Sequence, residues 1–146
     1  MKQQNKSFLE QGFSLIELLL VVAIVLILGT LTTTFYSRFL NQNAVANTSD
    51  QMLGQLRKAQ MYSMMSKQNT TWGVRYSANK ITLFATGNTA FDESFSVNES
   101  VTVGGLTSII FTKGTGVPDV TPVITINSPG NNSRTITVTT QGVASR

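Results

Sequence analysis

The sequence contains no cysteine and no histidine. Disulfide scaffolds, thiolate metal sites and lipid attachment through an N-terminal cysteine are excluded at once. The common zinc sites and the Ser/His or Cys/His nucleophilic arrangements go with them, because each needs an imidazole or a thiolate. Proline is nearly as scarce. Three occur in 146 residues, the first at Pro118, so nothing before that point obliges a helix to break. Charge is thin as well: 12% of residues are charged, 11 basic against 7 acidic, separated by long stretches of Thr, Ser and Asn. The formal net charge of +4 implies only weak attraction for anions. No Gly-x-Ser-x-Gly arrangement is present, so the sequence gives no support for an enzyme and implies no cofactor.

What the chain does have is one long apolar block. From Phe13 to Leu31 only Ser14, Glu17, Gly29 and Thr30 interrupt it. A helix of that length, at about 1.5 Å per residue, crosses most of a hydrocarbon layer ~30 Å thick. Lys2 and Lys6 precede the block, Glu10 partly offsets them, and the first charge beyond it is Arg38. The positive-inside bias therefore orients the N-terminus toward the cytoplasm and the remainder outside. With leader and block set aside, roughly a hundred residues remain, enough for one modest core.

A secretory signal peptide needs a small-residue cleavage site after the apolar run, and "LILGTLTTTFYSRF" offers none of the Ala-x-Ala kind. A plain uncleaved anchor leaves Glu17 unexplained, since a carboxylate at the centre of a membrane helix costs about 2.5–3.5 kcal/mol. Cleavage between Gly12 and Phe13 would create an α-amino group one turn before Glu17, and opposite charges at i and i+4 compensate each other. The amine of a neighbouring subunit, with helices packed side by side, is a second partner of the same kind.

The run Gly12 Phe13 Ser14 Leu15 Ile16 Glu17, behind a short basic leader and ahead of an apolar block, resembles the recognition site of type IV prepilins and type II secretion pseudopilins. The resemblance implies a prepilin peptidase that cuts after Gly12, N-methylation of the new terminus Phe13, and a Glu17 carboxylate that registers one subunit on the next during filament assembly. It further implies a structural subunit that passes from the bacterial inner membrane into a pilus or pseudopilus. Its partners would be other pilins or pseudopilins and an inner-membrane assembly platform.

Beyond the block the helical signal continues. Met52, Leu53, Leu56, Ala59 and Met64 fall on one side at 100° per residue, away from Asp50, Gln51, Gln55 and Lys58. One helix from Phe13 to about Lys67 would be ~80 Å long, with a bend or partial unwinding in the polar middle "TTTFYSRFLNQNAVANTSD". From Thr71 the period changes to two. "WGVRYSANKITLFAT" predicts a hairpin turning near Ala78 and Asn79, "SFSVNESVTVGG" and "TSIIFTK" predict two further strands, and "TPVITINSPGNNSRTITVTTQG" predicts a last hairpin turning at Pro129 and Gly130. The organisation is thus a leader (1–12), a hydrophobic transmembrane and filament-core helix (13–34), its amphipathic continuation (35–67) and a β-rich head (68–146). The fold class is α+β, type IV pilin-like, a long N-terminal helix packed on an antiparallel sheet of about six strands.

Within that family, "LRKAQMYSMMSKQNTTWGVRYSANKITLF" and "RTITVTTQGVASR" are similar to the GspH/FimT-type minor pseudopilins. Major pilins are the competing subgroup. Many of those carry a disulfide-bounded C-terminal loop, which this chain cannot form. Some FimT-like pilins bind DNA through a C-terminal Gly-Arg-x-Arg element. Here the matching stretch is Gly142 Val143 Ala144 Ser145 Arg146, with Val in place of the first Arg, leaving Arg134 and Arg146 as the candidate DNA contacts. Arg57, Lys58, Lys67, Arg75 and Lys80 complete a scattered basic set that reads as a solvated face. Asp92, Glu93, Glu99 and Asp119 lack the Asp-x-Asn-x-Asp spacing of a calcium loop, so no metal site is expected. Trp72, Tyr76 and Phe84 read as core.

Overall fold

The structure, a computed structural model, describes residues 13–146, and for residues 31–35 the backbone only. Two compact units divide the chain, one ending at Ser37 and the other comprising Arg38–Arg146. The first helix, α1 (Leu15–Met64), runs as one hydrogen-bonded element through the polar middle, so the partial unwinding expected there does not occur. No proline interrupts that stretch, and Thr, Asn and Ser cost only fractions of a kcal/mol each in a helix interior, about 0.7 at most. The helix stops where Ser66 turns left-handed (φ 50°), its amide bonded to the Ser63 carbonyl at 3.0 Å. A 3₁₀ turn, Lys67–Asn69, follows.

In the second unit α1 buries Val45, Thr48, Ser49, Met52, Leu56, Ala59 and Ser63, a stripe at spacings of three and four. Met52, Leu56 and Ala59 lie where the periodicity puts them. Met64 does not: it is 53% exposed and belongs to the flank. The small polar members of the stripe let strand backbone approach the helix. Ser63 shows how, its hydroxyl oxygen accepting the Trp72 amide at 2.9 Å while its carbonyl accepts the Gly114 amide at 2.8 Å.

Among the described residues, eight strands form two antiparallel four-stranded sheets, where about six in one sheet were expected. In the first, the order is β3 (Asn88–Ser96), β2 (Lys80–Ala85), β1 (Trp72–Ser77), β5 (Ser108–Phe111); in the second, β4 (Thr102–Gly104), β6 (Val123–Ser128), β7 (Asn132–Val138), β8 (Ala144–Ser145). Both predicted hairpins are present. The β1–β2 turn is made by Ala78 and Asn79, both with positive φ (48° and 56°), as a two-residue hairpin loop requires. The β6–β7 connection is Pro129–Asn131.

The run "SFSVNESVTVGG" accounts for one of the two additional strands, and β8 is the other. Its first residues end β3, an Asx turn at Asn98 intervenes with the Ser100 amide donating to Oδ1 at 2.9 Å, and its last residues enter the other sheet as β4. The front half of β3 is an edge strand with little apolar alternation, and β8 is two residues long, so neither carries a readable period.

Trp72, Val74, Ile81, Leu83, Ile109 and Phe111 from the first sheet and Ile124, Ile126 and Ile136 from the second join the α1 stripe in one hydrophobic cluster. Of the aromatic trio, Trp72 is fully in this core, T-stacked on Tyr62 with centroids 4.9 Å apart, and Tyr76 packs against it. Phe84 departs from expectation. Paired with Gly73, it lies on the opposite face of the sheet, half-buried, with the Arg75 guanidinium 5.1 Å from its ring centre.

Gly73 makes this arrangement possible, because a Cβ there would stand 2.8 Å from Phe84 Cζ and collide with the Ile109 carbonyl oxygen. Gly73→Ala is therefore expected to lower the unfolding free energy of the full chain by roughly 1–3 kcal/mol through overpacking. Gly54 behaves oppositely, being exposed in α1 with no atom within 4 Å of the place an added Cβ would take. Gly54→Ala should stabilise by about 0.5–1 kcal/mol. Denaturant unfolding of both variants measures the pair.

Candidate assembly helix and the basic residues

The start of α1 is apolar on every side. Leu18, Leu19, Leu20, Val21 and Val22 follow one another with exposures from 61% to 47%, and five successive positions pass right round a helix of 3.6 residues per turn. Leu15, Ile16 and Ile24–Leu28 extend the surface in both directions. Even Thr30 turns its polarity inward, the hydroxyl donating to the Ile27 carbonyl at 2.8 Å. A helix apolar all round is ordinarily a buried one. No helix among the described residues is long and apolar enough to cross a membrane. The stretch with described side chains reaches from Leu15 to Thr30, short of the ~20 residues a bilayer needs, and the rest of the expected segment 13–34 lies beyond it.

Of the residues assigned to processing, Gly12 and the leader 1–12 lie outside the described residues. Phe13 is 81% exposed and precedes the helix. Glu17 sits in the first turn, exposed, its amide donating to the Ser14 carbonyl at 3.0 Å. An acid there faces helix N–H groups that have no acceptor within the helix, a placement worth about 0.3–1 kcal/mol at a helix N-terminus. The Ser14-x-x-Glu17 spacing carries this local role in the sequence too, beside the charge-pairing role expected of Glu17.

The basic residues do not converge. Lys58 bonds Glu93 at 2.6 Å, Arg75 bonds Asp92 at 2.7 Å, and Arg146 pairs with Asp50. Lys67 lies 3.6 Å over the Tyr62 ring, and Arg57 donates to the Ala144 carbonyl at 3.3 Å. Arg134 and Lys80 have no side-chain partner among the described residues. The two candidate DNA contacts are thus placed differently: Arg146 is held by a carboxylate, and Arg134 lines a recess beside α1.

Asp50, Arg57 and Gln60 share a flank of α1 that fastens the C-terminal segment. Gln60 donates to the Gln141 carbonyl at 2.9 Å. Gly142 seats against it at φ 83°, where a Cβ would come within 2.5 Å of both Gln60 Nε2 and the Gly116 carbonyl oxygen. The periodicity that marks the apolar stripe gives no sign of this polar flank, because solvated and fastening side chains look alike in sequence. The acids are equally dispersed, and no group of three or more acidic, His or Cys residues able to hold a metal occurs among the described residues.

The Glu93 carboxylate accepts a hydrogen bond from the Lys58 ammonium and raises its pKa, outweighing the opposing effect of burial. A raised folded-state pKa adds stability that is complete below the ordinary lysine value of ~10.4 and disappears as pH rises through the folded value. The gap between wild type and Glu93→Gln in thermal unfolding should therefore persist at neutral pH and close in the strongly alkaline range. Duplex DNA binding, measured across salt concentrations, should be weak and show a shallow slope, because the cations without a carboxylate partner among the described residues are dispersed rather than gathered on one face. Compared with protein-family models, curated proteins and solved structures, the chain matches none.

Proposed function

We propose that the chain is a structural subunit, a minor pilin or pseudopilin, of a type IV pilus or type II secretion pseudopilus. The observation that carries this reading is a helix start that is apolar round its whole circumference, bears a single carboxylate at Glu17, and follows a prepilin-type run from Gly12 to Phe13. Such a surface needs a covering, and lipid followed by the helices of other subunits supplies one in each stage of assembly.

In this reading the precursor is a single-pass protein of the bacterial inner membrane, N-terminus cytoplasmic and Arg38–Arg146 unit extracytoplasmic. Prepilin peptidase cuts between Gly12 and Phe13, and Phe13 is N-methylated. The helix then leaves lipid for a helical filament, where its apolar surface is buried against other pilins. Glu17 answers the amine of Phe13, of its own or a neighbouring chain, and penalises packing in the wrong register. Within the pilins, the reading takes the GspH/FimT-type minor subgroup, with a major pilin as its competitor. The chain performs no chemistry; the peptidase acts on it.

The mass of the protein extracted from membranes should equal a chain starting at Phe13 plus one methyl group. Persistence of residues 1–12 in the mature product points instead to a plain signal-anchored surface protein. With processing intact, Glu17→Ala should lower incorporation into filaments by at least about tenfold, the equivalent of ~1.4 kcal/mol. Normal incorporation of that variant would remove the electrostatic part of the proposal.

A further inference from the structure

Arg134 stands on the face of β7 that goes on to bury Ile136 and Val138. Its cross-strand partner in β6 is Ile126, fully buried. Arg134 itself is half-buried. Unlike Arg75 and Arg146, it has no carboxylate partner among the described residues, and a guanidinium cannot escape by losing its proton. A cation drawn toward a core without a counter-ion is disfavoured unless something else meets its charge.

The surroundings indicate what meets it. Arg134 lines a recess of about 170 Å³ with Gln42 and Val45 from α1 and Asn131, Asn132 and Ser133 from the end of the β6–β7 hairpin. The lining carries the guanidinium fork and the amide-bearing residues Gln42, Asn131 and Asn132, and no acid. The hairpin is fixed against the helix at this point, since the Ser128 hydroxyl donates to the Asn41 carbonyl at 3.4 Å. The left-handed Asn131 (φ 61°) turns the chain so that Asn132 and Ser133 border the same recess.

We propose that this recess is a carboxylate-binding site, with Arg134 supplying the charge and Gln42 and Asn132 the neutral donors. One fixed positive charge balances a monoanion and leaves a dianionic phosphate half-compensated. The planar guanidinium fork matches a planar carboxylate with two parallel hydrogen bonds. The carboxylate has two sources of the same chemistry, a small free carboxylate or an acidic side chain of a second copy. Glu99, exposed at the turn between β3 and β4 and without a cationic partner among the described residues, is one side chain able to act as the second source. The site is independent of the filament reading.

The test uses the full chain in a neutral detergent at constant ionic strength. The Arg134 Nε–H signal and the side-chain amide signals of Gln42 and Asn132 are followed by NMR as acetate replaces chloride. Saturable shifts with a midpoint near about 1 mM are expected, at least about tenfold weaker in Arg134→Gln and unchanged in Arg146→Gln. Arg134→Lys, which keeps the charge and loses the fork, should fall between. Unaltered signals elsewhere in β6 and β7 show that the variants are folded.

Absence of saturable shifts, equal shifts in Arg134→Gln, or tighter binding of inorganic phosphate than of acetate would overturn the proposal. Dilution without acetate separates the sources. Shifts that follow protein concentration and vanish in Glu99→Gln assign the carboxylate to a second copy, and shifts that follow acetate alone assign it to a free ligand.

Discussion

The Arg38–Arg146 unit depends on the burial of one stripe of α1. Neither four-stranded sheet shares a ladder with the other, and each has an apolar face that must be covered. Val45, Met52, Leu56 and Ala59 join residues of both sheets in a single cluster, so helix and both sheets share one core. Its small residues matter as much as its large ones. Ser63, at the last turn, gives its hydroxyl oxygen to the β1 backbone and its carbonyl to the loop after β5, converting a helix end into the start of both neighbouring segments. Replacing such a group with a larger side chain would remove partners from buried amides as well as create a clash.

Around this stripe runs a second, polar layer of attachment. Asp50, Arg57 and Gln60 hold residues 141–146, and Lys58 and Glu93 close the opposite flank against β3. Lys67 covers Tyr62 while its carbonyl accepts the Trp72 indole N–H at 3.0 Å. Several of the cations among the described residues are in this way engaged by the fold itself. The nucleic-acid question therefore turns on where the remaining cations stand rather than on the net charge of +4.

The start of α1 obeys a different rule. Its sequence makes an excellent helix but not an amphipathic one, and a helix without a polar face has no stable orientation against a small soluble core. A carboxylate in that setting has two inexpensive positions, near a positive group or at a helix N-terminus. Glu17 occupies the latter in the chain as it stands. Removal of residues 1–12, as proposed, would add the former. The two contributions have the same sign and act at the same place, so the acid is compatible with both precursor and product.

The sequence alone determined the class of the fold, the long helix, the all-round apolar start, the buried trio Met52, Leu56 and Ala59, and both hairpins with their turns at Ala78–Asn79 and Pro129–Gly130. These are local properties: periodicity over a few turns, β-branched alternation, and turn residues that tolerate positive φ. Tertiary structure decided the rest. It divided the strands between two sheets, because the Asn98 turn separates β3 from β4 by direction rather than by composition. It put Phe84 outside and Met64 on the flank, since facing depends on which partner covers a position. It also brought Arg134 beside Gln42 across 92 positions of chain, a convergence set by the register of β6 and β7 against the helix, which no short-range pattern encodes.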